Sequence, residues 1–118
     1  MVINLTTKEF KEKIFDYEKE KEWKFKGNKP AIIDYFAEWC SPCKTIAPIL
    51  EELSEEYKNK IDIYKVNVEE SHELSKTFAI QSIPAILFIP LKDEPQMMVG
   101  GLPKESFKQT INDLFKIK

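Results

Sequence analysis

Apolar residues change their spacing several times along the chain, and each change predicts an element. Val2 to Leu5 reads as a short strand. Thr6-Thr7-Lys8-Glu9 comes next, a hydroxyl with Glu three residues later, as in a helix capping box. Phe10, Ile14 and Tyr17 then recur at helical spacing and predict a first amphipathic helix. Glu18 to Glu22 alternates acid and Lys with no apolar face, so the helix either runs on into solvent or yields to a loop. Gly27-Asn28-Lys29-Pro30 punctuates the chain.

Ala31 to Ala37 is an apolar run interrupted by Asp34, and it reads as a buried central strand. From Ser41 the period becomes helical. Ile46, Ile49, Leu50, Leu53 and Tyr57 form one stripe, with Glu51, Glu52, Glu55 and Glu56 outside it. Pro48 falls within this helix and predicts a kink. Ile61 to Val68 alternates as a third strand, and Ser71 to Phe78 reads as a short helix capped by Ser71. Ala85 to Ile89 and Met97 to Val99 supply two more strands, the second running into Gly100-Gly101. Pro103 opens a last helix that buries Phe107, Ile111, Leu114 and Phe115. Tyr35, Phe36, Phe78, Phe88 and Phe107 are assigned to the core.

The order is β-α-β-α-β-α-β-β-α. Alternating strands and helices imply parallel pairing with helices on both faces. The last two strands are joined too briefly for a crossover and should pair antiparallel. The expectation is an α/β fold, a central mixed five-stranded sheet flanked by four helices, with one domain over residues 1–118.

Composition narrows the function classes. The 118 residues are 42% hydrophobic and 32% charged, enough for one core without staples. The net charge of −2, with Lys and Glu interspersed, argues against nucleic-acid or anionic-membrane partners. No stretch is apolar for long enough to cross a bilayer. The opening Met-Val-Ile-Asn-Leu-Thr-Thr has no basic n-region and no long apolar h-region. A cytoplasmic monomer is expected, or an extracytoplasmic protein had a signal peptide been removed.

The chain has two cysteines, Cys40 and Cys43. A bridge between such near neighbours restricts the unfolded chain very little, so the pair is badly placed as a staple. Zinc wants four ligands, and His72 is the only histidine, so no metal is expected. His72 lies in a polar stretch and reads as a surface residue. Cys40 follows a buried strand and precedes a helix. There, free backbone N–H groups and the helix dipole favour the thiolate, which is the attacking species. Pro42 suits the first helical turn. Cys43 comes one turn later, facing Cys40 and expected to be more enclosed, as a resolving thiol would be. Asp34 is costly in a buried strand. Burial would raise its pKa towards a range suited to proton exchange with a thiol; otherwise it is a structural polar residue holding a water.

The segment Asp34-Tyr35-Phe36-Ala37-Glu38-Trp39-Cys40-Ser41-Pro42-Cys43-Lys44 resembles the active-site signature of the thioredoxin family. Ile46-Ala47-Pro48 matches the residues that come just after that signature, Ile83-Pro84 its cis-proline site, and Val99-Gly100 its glycine near the C-terminus. The resemblance implies the thioredoxin fold and protein-disulfide reduction by dithiol–disulfide exchange. Cys40 would attack and Cys43 resolve, leaving the pair oxidised. No cofactor is implied. The partners implied are disulfide-containing protein substrates and a thioredoxin reductase or other dithiol donor. The resemblance also gives Asp34 a proton-transfer role, sets Lys65 beside it, and makes the Ile83–Pro84 bond cis. The backbone there would pair with an extended substrate segment. The plain alternative is a trans proline opening an edge strand. Trp39, Ser41, Pro42, Ile83, Pro84, Gly100 and Gly101 would border the cysteines as a substrate-receiving rim. Trp39 alone could equally be a packing residue.

The chain departs from the family pattern in three places. Ser41 stands where glycine is common, its hydroxyl either donating to a sulfur or capping the helix. The connection from the first helix to Ala31 is long, and Trp23 and Phe25 in it either tuck the loop down or form a partner patch. The tip Lys92-Asp93-Glu94-Pro95 lacks a glycine turn. Two other functions share these features: an oxidising or isomerising extracytoplasmic protein, and a non-catalytic binding module. The missing signal and Ile83 before the proline favour the reductase over the first. The set Asp34, Cys40, Cys43 and Pro84 speaks against the second.

Overall fold

Three strands build the middle of the sheet. They are β2 (Ala31–Phe36), β3 (Asp62–Asn67) and β4 (Ala85–Ile89), joined at the edges by β1 (Ile3–Asn4) and β5 (Gln96–Val99). The computed structural model, which describes residues 1–117, arranges them in the order β1-β3-β2-β4-β5. β1 and β2 each pair parallel with β3, whereas β4 runs antiparallel to both β2 and β5. The mixed sheet expected from the sequence is the one observed.

Alternation along the strands sorts the core into two layers. Ile32, Ile63, Ile86 and Phe88 face helices α2 (Ser41–Glu56) and α4 (Lys104–Phe115), meeting Leu50, Leu53, Phe107 and Ile111. Ile33, Tyr35, Val66 and Leu87 face the other way, with Phe10 of α1 (Thr7–Lys13) and Leu74 of α3 (His72–Thr77). Asp34 shares the α2 face with Ile32, because side chains alternate. Ion pairs from Lys104 to Glu52 and Glu56, and from Lys108 to Glu56, link α4 to α2. Such exposed pairs contribute little to stability, because solvent screens them.

Several element ends differ from the sequence reading. The α1 capping box forms: the Glu9 amide donates to Thr6 Oγ1 at 3.1 Å, and the Thr6 amide donates to Glu9 Oε1 at 3.0 Å. However, α1 stops at Lys13, with Ile14 as its C-cap, and Tyr17 lies beyond it. The helical spacing from Phe10 to Tyr17 outlasts the helix itself. Phe15, Tyr17 and Trp23 instead gather as an aromatic cluster, the Phe15 and Trp23 rings 4.8 Å apart. Trp23 and Phe25 pack onto the core, so the long connection is tucked down.

Ser71 is the N-cap of α3 but makes no side-chain cap bond. Its ψ of 62° departs from the extended backbone that aims a capping hydroxyl at the next amides. Asn67 Oδ1 accepts from the Glu69 amide at 2.9 Å, just ahead of the helix. Pro103 flanks α4 as its N-cap rather than opening it, and Leu114 is only half-buried. α2 runs through the exposed Pro48 to Glu56.

The α1 cap gives a direct test. Thr6→Ala should cost about 1 kcal/mol, because it leaves first-turn donors unpaired. Urea denaturation at neutral pH reads this, and Thr6→Ser should recover most of the loss.

Candidate active site

The end of β2 feeds almost directly into the start of α2, and this junction holds both cysteines. After Phe36 the chain turns through Ala37, Glu38 and Trp39, with the Cys40 amide donating to the Ala37 carbonyl at 3.2 Å. Cys40 is the N-cap of α2, and its Sγ accepts the Cys43 amide at 3.2 Å. The Lys44 amide donates to the Cys40 carbonyl at 3.2 Å. Sulfur therefore takes the place that oxygen usually holds at a helix start. Cys40 and Cys43 are joined as a disulfide, their Cα atoms 5.3 Å apart.

Burial does not separate the two cysteines, contrary to the expectation that Cys43 is more enclosed. They are 2% and 3% exposed, in one small cluster with Ala37 against which Phe36, Val68 and Ile83 pack. Their surroundings differ instead. Cys43 borders a cavity of about 200 Å³ that also holds Asp34, Phe36 and Lys65.

Asp34 is 4% exposed, and its Oδ1 has no hydrogen-bond partner among the described residues. Burial pushes its pKa up from 3.8 to about 7, against the smaller opposing pull of the Lys65 charge. Lys65 is the in-register neighbour of Asp34 on β3, and Ile86 is its neighbour on β4. Among the described residues Lys65 forms no ion pair with Asp34. Its Nζ lies 5.8 Å from the centre of the Phe36 ring.

The expected rim gathers on two flanks. Trp39 is 68% exposed, which excludes a core role, and with Ile83 and Val68 it borders a shallow depression. Ser41, Pro42 and Gly101 border an apolar groove of about 590 Å³ with Ile46, Ile49 and Leu102. The Ile83–Pro84 peptide is cis, and the Pro84 carbonyl accepts the Gly100 amide at 2.8 Å. Gly100 has φ of 100°, a conformation that favours glycine. Ser41 fills neither role considered for it. The cap belongs to Cys40, and among the described residues its hydroxyl donates to neither sulfur. His72 is exposed, as read. Of the aromatics assigned to the core, Phe36 and Phe78 are half-buried; Phe78 packs onto the core layer, whereas Phe36 lies apart from it. Phe36 sits against the cysteines, and its place two residues after Asp34 on the same strand face was the available signal.

The thioredoxin family model matches residues 1–113. The chain belongs to the thioredoxin family. It is 47% identical to a thioredoxin of Borreliella burgdorferi over 115 residues, 98% of each chain. It is 32% identical to a thioredoxin of Rickettsia bellii over 113 residues, 96% of this chain and 98% of that one. The crystal structure of a chloroplastic thioredoxin z matches with a TM-score of 0.81 at 25% identity, covering 96% of this chain and 93% of the other. The fold is accordingly the thioredoxin fold. The protein is a thiol–disulfide oxidoreductase of the protein-disulfide reductase type, with Cys40–Cys43 consistent with its redox pair. Thioredoxin membership implies disulfide-bearing protein substrates and a reductase as electron donor. No helix among the described residues is long and apolar enough to cross a membrane.

The Asp34 carboxyl has a thermodynamic signature. Between about pH 4 and 7 the folded chain holds a proton that the unfolded chain has released, so stability falls as pH rises through that window and levels off above it. The full penalty is about 4 kcal/mol by the size of the pKa change. Urea denaturation of the oxidised protein from pH 4 to 8.5 should show this decline, and Asp34→Asn should remove it.

Proposed function

We propose that Cys40 is the nucleophile and Cys43 the resolving thiol in the reduction of protein disulfides. The observation that carries this division is the Cys43 amide donating to Cys40 Sγ at 3.2 Å. A hydrogen bond from a helix-start N–H stabilises negative charge on that sulfur in the dithiol form. The Cys40 thiolate attacks one sulfur of a substrate disulfide. A mixed disulfide forms, and the other substrate sulfur leaves as a thiolate. Cys43, losing its proton, then attacks Cys40 Sγ. The Cys40–substrate bond breaks, the second substrate thiol departs, and two electrons have passed to the substrate. The closed Cys40–Cys43 bridge is the oxidised end of that cycle, which a reductase returns to the dithiol.

Asp34 is the proton-exchanging group for Cys43, since the two share one cavity and its pKa is raised to about 7. Lys65 is the adjoining charge. Trp39, Ser41, Pro42, Ile83, Pro84, Gly100 and Gly101 form the surface that receives the substrate segment around its cysteine. The backbone ahead of Pro84 offers pairing to an extended chain. In this reading residues 1–118 act as one thioredoxin domain, a cytoplasmic monomer without nucleic-acid or membrane partners. Its small net charge agrees with that. Nothing in the site favours an oxidising or isomerising protein or a non-catalytic module.

Three measurements test the roles. In insulin reduction driven by dithiothreitol, Cys40→Ser should fall to background. Cys43→Ser should accumulate mixed disulfides at Cys40, and trapping through any other residue would refute the assignment. Asp34→Asn should slow the resolving step about tenfold or more and flatten its pH dependence near 7. An unchanged pH profile would remove Asp34 from proton exchange.

A further inference from the structure

Phe36 occupies a position that none of the roles above explains. It is half-buried, packs against the Cys40–Cys43 pair, and borders the same cavity as Asp34 and Lys65. The Lys65 ammonium lies over its ring at 5.8 Å. Yet Lys65 is the in-register neighbour of Asp34, whose Oδ1 has no hydrogen-bond partner among the described residues. A lysine beside an unpaired buried carboxyl would ordinarily turn to it. Here it lies over the aromatic face.

We propose that Phe36 is a positioning residue for Lys65, its ring holding the ammonium apart from the Asp34 carboxyl. The chemistry favours this arrangement. An aromatic face attracts a cation through its quadrupole while leaving the other ammonium protons in water. Entry beside Asp34 would bring Coulomb attraction but would strip that water away. The two effects oppose each other, so a ring contact of ordinary strength decides the outcome. Other charges near the carboxyl do not substitute for the ring. Glu38 on the turn and Lys44 on α2 border the cavity and are exposed, Cys43 is tied in the disulfide, and β4 presents Ile86. Held this way, Lys65 leaves Asp34 free to take up and release a proton near neutrality. Paired, it would fix Asp34 as a carboxylate.

This inference deepens the proton-exchange reading of Asp34 and rests on it for its functional meaning, but its test reads the carboxyl directly. The Asp34 side-chain carbon is titrated by NMR in the full oxidised chain. Phe36→Leu should lower the midpoint by about one pH unit or more, as Lys65 turns to the carboxylate. Phe36→Trp, which restores an aromatic face, should leave it near the wild-type value. In a Lys65→Met background Phe36→Leu should produce no such drop. An unchanged or raised midpoint in Phe36→Leu overturns the proposal, and so does an equal drop without the lysine. A measurement on the wild type guards against misfolded variants: the Lys65 ε-protons should be shifted upfield by the ring, and their absence from that range also overturns it. If Asp34→Asn leaves the pH profile of disulfide reduction unchanged while these shifts appear, the proton-exchange reading fails and the positioning role stands.

Discussion

The site depends on β2 being paired along both edges. β3 fixes it in parallel on one side and β4 in antiparallel on the other, so Ala31 to Tyr35 has no freedom to slip. A shift of one residue would carry Asp34 to the α1–α3 face and exchange it with a bulky apolar neighbour. Because the register holds, the strand delivers a carboxyl under the cysteines and hands the chain to α2 within a few residues. The first amides of α2 then meet Cys40 Sγ. Lys65 and Ile86 flank Asp34 through the same register.

The fold was legible where apolar periodicity is strong. β4 has the bounds read from its apolar run, and β2 differs by one residue at its end. The final strands pair antiparallel because their connection is too short for anything else. Periodicity misled where it was coincidental. Tyr17 keeps helical spacing from Phe10 but turns back to join Phe15 and Phe78. Ser71 has the right chemistry for a cap, and its backbone angles deny it the geometry.

At the site, Asp34 declared itself as an acid within an apolar run, and Cys40 by its place between strand and helix. Two features required coordinates. The small cluster around the two cysteines takes in Phe36, Val68 and Ile83, which come from three separate stretches of chain. The placement of Lys65 over Phe36 depends on side-chain directions between strands, which one-dimensional spacing does not encode. Burial that raises the Asp34 pKa also makes its charged form a stability cost at neutral pH that a neutral residue there would avoid.

The outer strands bear on a different problem. A sheet with unpaired outer edges risks becoming a template for other chains. The sheet ends in a two-residue β1 on one side and a four-residue β5 on the other. The Lys92-Asp93-Glu94-Pro95 tip leads into β5, and charge and proline discourage further pairing there. Short borders give a stray chain too few rungs to build on, so aggregation through the sheet edges is held down.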